Sequence, residues 1–308
     1  MVRSVKPPVT DPTDRPRAAK IRFEAADALV LATLGVFVVL TVAFQRRVDR
    51  WPVLVVKNAV SGLVFLAAVV CTRRIRPGWA WFAARTATVS LAYAWLFGSV
   101  AKLQFIIHGR WLDGLVLGFE DRLFGVQPTI WLERFVRPWL TEWMMFCYVV
   151  YIALYPLVCL VIYRGRGKRA LEECLLALGL ANVACDLGFI LFPVAGPAAF
   201  MGTAYTVPLD GWLFTAVGEF IRTRLHYVGG SLPSPHAAAA TVMWAMCWRY
   251  SRRLAWVLAP VILTLYVATF YCRYHYLTDT IAGIATAVAA LTLTPRLVRW
   301  WHRRSASV

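Results

Sequence analysis

Long apolar stretches recur along this chain and restrict the folds that are open to it. A helix needs about 20 predominantly apolar residues to cross the hydrocarbon of a bilayer, and the chain is 60% hydrophobic with only 16% charged residues. The pattern predicts an all-α fold, a polytopic membrane helix bundle, with eight spans at residues 24–44, 53–72, 84–107, 141–163, 170–193, 235–250, 254–272 and 276–295. Two further stretches, 111–136 and 210–225, mix large apolar residues with charges and are predicted to be amphipathic helices at the membrane surface.

The positive charge of the chain follows these predicted spans. The net charge is +17, from 33 Lys and Arg against 16 Asp and Glu, and the basic residues separate the apolar stretches instead of forming one stripe. That distribution is typical of membrane topology and argues against a nucleic-acid partner. With the N-terminus in the cytoplasm, 21 basic residues fall on the inner side and 10 on the outer side. We therefore expect an integral protein of the plasma or inner membrane with both termini cytoplasmic.

A first histidine motif is the run Gly229-Gly-Ser-Leu-Pro-Ser-Pro-His236. Ser234 is a typical helix N-cap and Pro235 suits the first helical position, so His236 is predicted in the first turn of a helix. Free backbone N–H groups and the positive end of the helix dipole favour a bound phosphate at that place. The alternative is an ordinary helix cap with an interfacial histidine.

A second histidine motif is the run His275-Tyr-Leu-Thr-Asp279. Residues four apart share one face of a helix, and a carboxylate that contacts one ring nitrogen leaves the other as a nucleophile or base. The alternative is a structural His–Asp hydrogen bond. The predicted topology places His236 and His275 on the same, outer side of the membrane, so an active site is expected to be extracytoplasmic.

The two motifs together resemble the type 2 phosphatidic acid phosphatase superfamily over roughly residues 85–295. The second motif of that superfamily is Pro-Ser-x-His, which here reads Pro233-Ser-Pro-His236. Its third motif ends in His-x-x-x-Asp, which here runs from His275 to Asp279. A finer resemblance, to the branch that includes the inositol phosphorylceramide synthases, is carried by Asp121-Arg-Leu-Phe-Gly125, Trp131, Tyr148 and Tyr151.

The resemblance implies a role for each matched residue. His275 would attack phosphorus and form a phosphohistidine, Asp279 would orient it, and His236 would protonate the leaving alcohol and then deprotonate the acceptor. Ser234 and nearby backbone N–H groups would hold phosphate oxygens. The superfamily is metal-independent, so neither a metal nor a cofactor is expected. A zinc site built from the two histidines and the aspartate is a weaker alternative.

The phosphate-binding cations of the superfamily have no counterpart at their usual positions. Ala268 and Thr269 stand where the third motif usually has Ser-Arg, and the first motif, a lysine followed seven residues later by Arg-Pro, is absent. Four residues are candidates for binding phosphate or substrate instead: Arg273, Lys102, Arg137 and Asp186. The alternatives are basic side chains that reach to lipid headgroups and, for Asp186, a polar contact between helices. His108 and His226 are predicted on the outer side, as contacts for an acceptor or as plain interfacial residues.

These expectations divide the chain into a disordered basic N-terminus (1–22), two additional transmembrane helices (23–75), a six-helix catalytic core (84–298) and a tail (299–308). The resemblance implies a membrane phosphoesterase or phosphotransferase that acts on a lipid-linked phosphate in the outer leaflet, with inositol or another small alcohol as acceptor. Hydrolysis of phosphatidic acid or of an isoprenyl phosphate is the first alternative. A non-catalytic lipid-binding protein is the second.

Overall fold

The computed structural model describes residues 23–224 and 226–306, so the predicted disordered N-terminus, residues 1–22, lies outside the described residues. Over the described ranges the chain forms helices and no strand. The α-helices are α1 (Ala25–Ala43), α2 (Trp51–Arg74), α3 (Trp79–Val100), α4 (Asp113–Phe124), α5 (Pro128–Trp131), α6 (Pro138–Leu191), α7 (Pro197–Phe200), α8 (Leu213–Arg224), α9 (Pro235–Tyr250), α10 (Arg252–Tyr271) and α11 (Leu277–Ala306). The all-α prediction is therefore confirmed.

Five helices of the described ranges are long and apolar enough to cross a membrane: α1, α2, α6, α10 and α11. With 54 residues, α6 is far longer than one crossing requires, and its backbone departs from helical geometry at Gly167 (φ 75°, ψ −168°). The side-chain amide of Asn182 donates to the hydroxyl of Tyr155 at 3.0 Å. The segments before and after Gly167 therefore pack side by side, which agrees with separate predicted spans at 141–163 and 170–193.

Two predicted boundaries differ from the structure and one agrees with it. The third span was predicted to reach residue 107, but α3 ends at Val100. The carbonyls of Ile106 and Ile107 accept from the guanidinium of Arg47 at 2.8 and 2.9 Å, in a turn that replaces the last part of the predicted helix. α9 has only 16 residues, as the short sixth span suggested. Residues from 299 onward, expected to form a tail, extend α11 as far as Ala306.

α9 lies at the centre of the bundle, where it packs against α6, α10 and α11. Four successive alanines, Ala237 to Ala240, are at most 1% exposed. Small side chains let helix backbones approach closely in membrane proteins, where apolar burial alone gives little driving force between helices. This packing fixes the start of α9, and with it the first histidine motif, against the neighbouring helices.

A few of the basic residues assigned to the inner side meet acidic partners, and Arg85 is the most buried of them. Arg85 of α3 donates to Asp27 of α1 at 2.5 Å and to Glu172 of α6 at 2.9 and 2.7 Å. Arg85 and Asp27 are only 3% and 1% exposed, and charges in a membrane bundle are costly unless they are paired. The cluster therefore ties α1 to α3 and to the C-terminal half of α6.

Replacement of Arg85 by methionine would leave Asp27 and Glu172 without their buried partner. Breaking a buried ion pair by removal of one partner destabilises a protein by about 3–5 kcal/mol. We expect the melting temperature of the detergent-solubilised protein to fall by several degrees. Arg166→Met, at an exposed position of α6, is the matched control. Equal melting temperatures for the two variants would contradict a stabilising role for the cluster.

Candidate active site

The first histidine motif forms the start of α9 as the sequence predicted. Ser234 is the N-cap residue, and its hydroxyl oxygen accepts from the backbone N–H of Ala237 at 3.3 Å. Pro235 occupies the first helical position and His236 follows it in the first turn. Pro235 has no N–H to satisfy and Ser234 caps the helix locally, so neighbouring residues alone were enough to predict where α9 begins.

The second histidine motif differs from the prediction in one respect. His275 does not share a helix face with Asp279, because α11 begins only at Leu277 and His275 lies in the turn between α10 and α11. The backbone N–H of His275 donates to the carbonyl of Thr269 at 3.0 Å, which closes that turn. Asp279 accepts from the backbone N–H of Tyr276 at 2.9 Å and so satisfies a free donor at the start of the helix.

The starts of α9 and α11 are in direct backbone contact. The N–H of Ser234 donates to the carbonyl of Asp279 at 2.9 Å. A Cβ atom on Gly283 would lie 2.4 Å from the carbonyl oxygen of Ser234, so only glycine allows this approach. The contact places Nδ1 of His236 3.4 Å from Nε2 of His275. The two histidines, far apart in sequence, thus face each other.

The other ring nitrogen of His275 is held by Ser231. Nδ1 lies 3.0 Å from the carbonyl oxygen and 3.2 Å from the hydroxyl of Ser231, but 3.8 Å from Asp279. The Ser231 hydroxyl donates to the carboxylate of Asp279 at 2.6 Å. With its proton on Nδ1, the imidazole donates to the Ser231 carbonyl and keeps the lone pair of Nε2 free. Asp279 therefore acts on His275 through Ser231, a residue for which the sequence carried no recognisable signal.

An aromatic stack orients the ring of His236. Tyr148 stacks on this ring with centroids 4.2 Å apart, and its hydroxyl lies 3.3 Å from Nδ1 of His236. On its other side Tyr148 stacks against Tyr274 at 4.4 Å. Tyr151 contacts the same imidazole at 4.6 Å between centroids. In the sequence, Tyr148 and Tyr151 carry only a family resemblance, whereas in the structure they position His236.

His275 borders a small cleft with a cavity volume of about 80 Å³. Gly196, Gly229 and Gly230 line it with φ values of 91°, 114° and 69°, in the left-handed region that favours glycine. A Cβ atom on Gly196 would lie 2.8 Å from the carbonyl oxygen of Tyr274. The basic side chains on the wall of the cleft are Arg222, His226 and Arg273. Glycine backbone and basic side chains together suit an anionic group.

Arg273, the first of the four predicted substrate-binding groups, borders the cleft but is engaged elsewhere. Its guanidinium bonds Glu133 at 2.9 Å and the carbonyl of Val207 at 2.5 Å. It also lies 4.0 Å above the ring centroid of Tyr205. Glu133 is 140 residues away from Arg273 in sequence, and no motif predicts this pair.

The other predicted groups lie outside the lining of the cleft as far as the described residues define it. Lys102 is exposed in the turn after α3. Arg137 is exposed at the N-cap of α6, where it donates to the carbonyl of Val136 at 2.7 Å. Asp186 is buried within α6. Ser234 is fully buried and uses both its hydroxyl and its N–H within the protein.

Two buried acids of α4 brace the turn that carries His275. Asp113 accepts from the backbone N–H groups of Ala195 and Gly196 and from the hydroxyl of Tyr276, at 2.8 to 3.0 Å. Glu120 accepts from the backbone N–H and the hydroxyl of Thr278 at 2.8 and 2.9 Å. Burial raises the pKa of both carboxyl groups, and these hydrogen bonds act in the opposite direction. In the sequence, only the seven-residue spacing of Asp113 and Glu120 on an amphipathic helix indicates that both side chains face the same neighbour.

Comparison with known proteins agrees with this arrangement. A family model described as the PAP2 superfamily matches residues 116–293, which contain both histidine motifs. Over 109 residues the chain is 26% identical to a PA-phosphatase related-family protein of Dictyostelium discoideum. That alignment covers 33% of this chain and 19% of the relative, so the chain spans about a fifth of the length of this curated relative. No solved structure matches the chain.

Proposed function

The chain belongs to the PAP2 superfamily, and we propose that it is an integral membrane phosphoesterase that cleaves a lipid-linked phosphate with His275 as the nucleophile. The observation that carries this proposal is the 3.4 Å approach of His236 Nδ1 to His275 Nε2. Nδ1 of His275 is occupied by Ser231, so Nε2 is the nitrogen available for attack. The excess of basic residues at the opposite end of the bundle supports an extracytoplasmic position for this site.

The reaction then proceeds in two balanced steps. In the first, Nε2 of His275 forms a bond to phosphorus, the bond from phosphorus to the leaving oxygen breaks, and His236 gives that oxygen a proton. In the second, His236 takes a proton from water, the water oxygen bonds to phosphorus, and the phosphorus–nitrogen bond breaks. Phosphate leaves and both histidines return to their initial states. Asp279 and Ser231 stabilise the positive charge that the imidazole of His275 carries in between.

Transfer to an alcohol is the second candidate function. It uses the same attack by His275 with an alcohol in place of water. Inositol or another small alcohol accepts the phosphate or, when phosphatidylinositol is the donor, diacylglycerol leaves and ceramide accepts the inositol phosphate. The presence of Ala268 and Thr269 where an arginine is usual supports it, because the inositol phosphorylceramide synthase-like branch tolerates that loss. Assays with phosphatidic acid and isoprenyl phosphate measure free phosphate, whereas phosphatidylinositol with ceramide reports a new lipid. No product in any of these assays, with folded protein, would contradict both functions.

The close contact between α9 and α11 predicts a strong effect of a small substitution. Gly283→Ala would push its new methyl group against the carbonyl of Ser234 and separate His236 from His275. A displacement of about 1 Å at a reacting group can cost about 10²-fold in rate, so we expect phosphate release to fall by about that factor. Gly98→Ala, in α3 with nothing within 4 Å of the added Cβ, is the control. Equal rates for the two variants would contradict this role of Gly283.

A further inference from the structure

The cleft beside His275 has a basic side chain that is not committed to a buried partner. Arg222 of α8 lines the cleft together with Tyr274 and His275. Gly218, one turn earlier on the same helix, accepts from the hydroxyl of Tyr274 at 3.2 Å. That hydrogen bond holds the face of α8 that carries Arg222 against the turn on which His275 lies.

Arg222 and Arg273 differ in how firmly they are held. Arg273 and its partner Glu133 have side chains only 12% and 11% exposed, and the carbonyl of Val207 also accepts from this guanidinium. Arg222 pairs with Glu219, one turn away on α8, and these side chains are 43% and 52% exposed. An exposed ion pair on a helix contributes little to stability. A bound phosphate can therefore displace Glu219 from Arg222 much more readily than it can displace Glu133 from Arg273.

His226, the other basic side chain on this wall, is not a permanent cation. Its ring packs beside those of Phe97 and Tyr227, with centroids 5.4 Å from each. Although part of His226 is exposed, desolvation of its ring lowers its pKa below the usual value, so the imidazole is neutral at neutral pH and offers an N–H group but no fixed charge. The fixed positive charge must come from an arginine.

We propose that Arg222 exchanges Glu219 for the phosphate of the substrate and acts as the phosphate-binding cation of the cleft. This inference rests on the proposed phosphoesterase function and deepens it. The planar guanidinium presents paired N–H donors that match two oxygens of a phosphate. Such a contact would neutralise part of the phosphate charge while Nε2 of His275 approaches phosphorus.

The test compares Arg222→Gln with Arg224→Gln. Both arginines are exposed near the end of α8. Because they are two residues apart on the helix, their side chains lie on different sides of it. Arg222 lines the cleft and Arg224 does not. Orthovanadate and inorganic phosphate serve as probes, and their binding to detergent-solubilised protein is read from the shift in melting temperature. We expect the wild type and Arg224→Gln to share one half-saturating concentration. For Arg222→Gln the half-saturating concentration should be at least about ten times higher, because a charge-assisted hydrogen-bonded pair with the probe is lost.

Turnover of phosphatidic acid gives a second measurement. Arg222→Gln should lower kcat/KM by about 10²-fold, Arg222→Lys should recover part of the loss, and Glu219→Gln should lower KM because Arg222 no longer has a competing partner. Probe binding by Arg222→Gln equal to that of Arg224→Gln would overturn the inference. Arg222-dependent binding without turnover in the wild type would instead contradict the proposed function and leave the assigned binding residue standing.

Discussion

Replacement of His275 by alanine is expected to abolish turnover, with a loss of about 10⁴-fold or more in the release of phosphate. The side chain supplies the only protein atom that bonds to phosphorus in the proposed mechanism, and Ser231 and Asp279 have no effect on the reaction without it. Loss of a nucleophile from a catalytic unit is in general nearly as damaging as loss of the whole unit. The measurement is free phosphate from phosphatidic acid in mixed micelles, with equal amounts of purified protein.

The matched control for this variant is His108→Ala. His108 is an exposed histidine on the same predicted side, and its ring lies 3.0 Å from the carbonyl of Leu191. We expect this variant to retain the wild-type rate. A His275→Ala protein that keeps its melting temperature and more than a tenth of the wild-type rate would contradict the assignment of the nucleophile.

Replacement of His236 by alanine is expected to have the second largest effect, and that effect should depend on the leaving group. A positioned general acid contributes about 10²–10⁴-fold, and its contribution is greatest when the leaving alcohol is a poor one. We expect a loss in that range for phosphatidic acid. For p-nitrophenyl phosphate, whose phenolate leaves without a proton, the first step should be much less affected.

The second step distinguishes His236 from a residue that merely supports the fold. Without His236, water has no base to take its proton, so the phosphorylated protein should accumulate when p-nitrophenyl phosphate is the substrate. A burst of p-nitrophenol followed by a slow steady rate is the expected time course. If the His236→Ala substitution lowers the rates for both substrates by the same factor and no burst is seen, His236 does not act as the acid and base.

The parts of the site that the sequence predicted are those set by local rules. The Ser234 cap, Pro235 and the position of His236 follow from backbone donors that neighbouring residues satisfy. The apolar pattern likewise predicted the long helices, apart from the ends of α3 and α11. After α3 the backbone carbonyls of residues 106 and 107 accept from Arg47, about 60 residues away.

The parts that the sequence did not predict depend on long-range contacts. Ser231 holds His275 across 44 residues, and Glu133 binds Arg273 across 140. Neither of these sequence separations corresponds to a helical period, so hydrophobic periodicity cannot reveal these two contacts. The i, i+4 spacing of His275 and Asp279 suggested a direct contact on one helix, but α11 starts after His275 and Ser231 lies between the two side chains.

The central claim is that phosphate is carried on Nε2 of His275, and trapping the phosphorylated protein tests it most directly. The His236→Ala protein would be mixed with p-nitrophenyl phosphate, quenched in alkali, where phosphohistidine survives, and cleaved for tandem mass spectrometry. We predict phosphate on His275, at a yield that matches the size of the burst, and none in the His236→Ala/His275→Ala double variant. Phosphate on another residue, or a burst without any labelled histidine, would contradict the account.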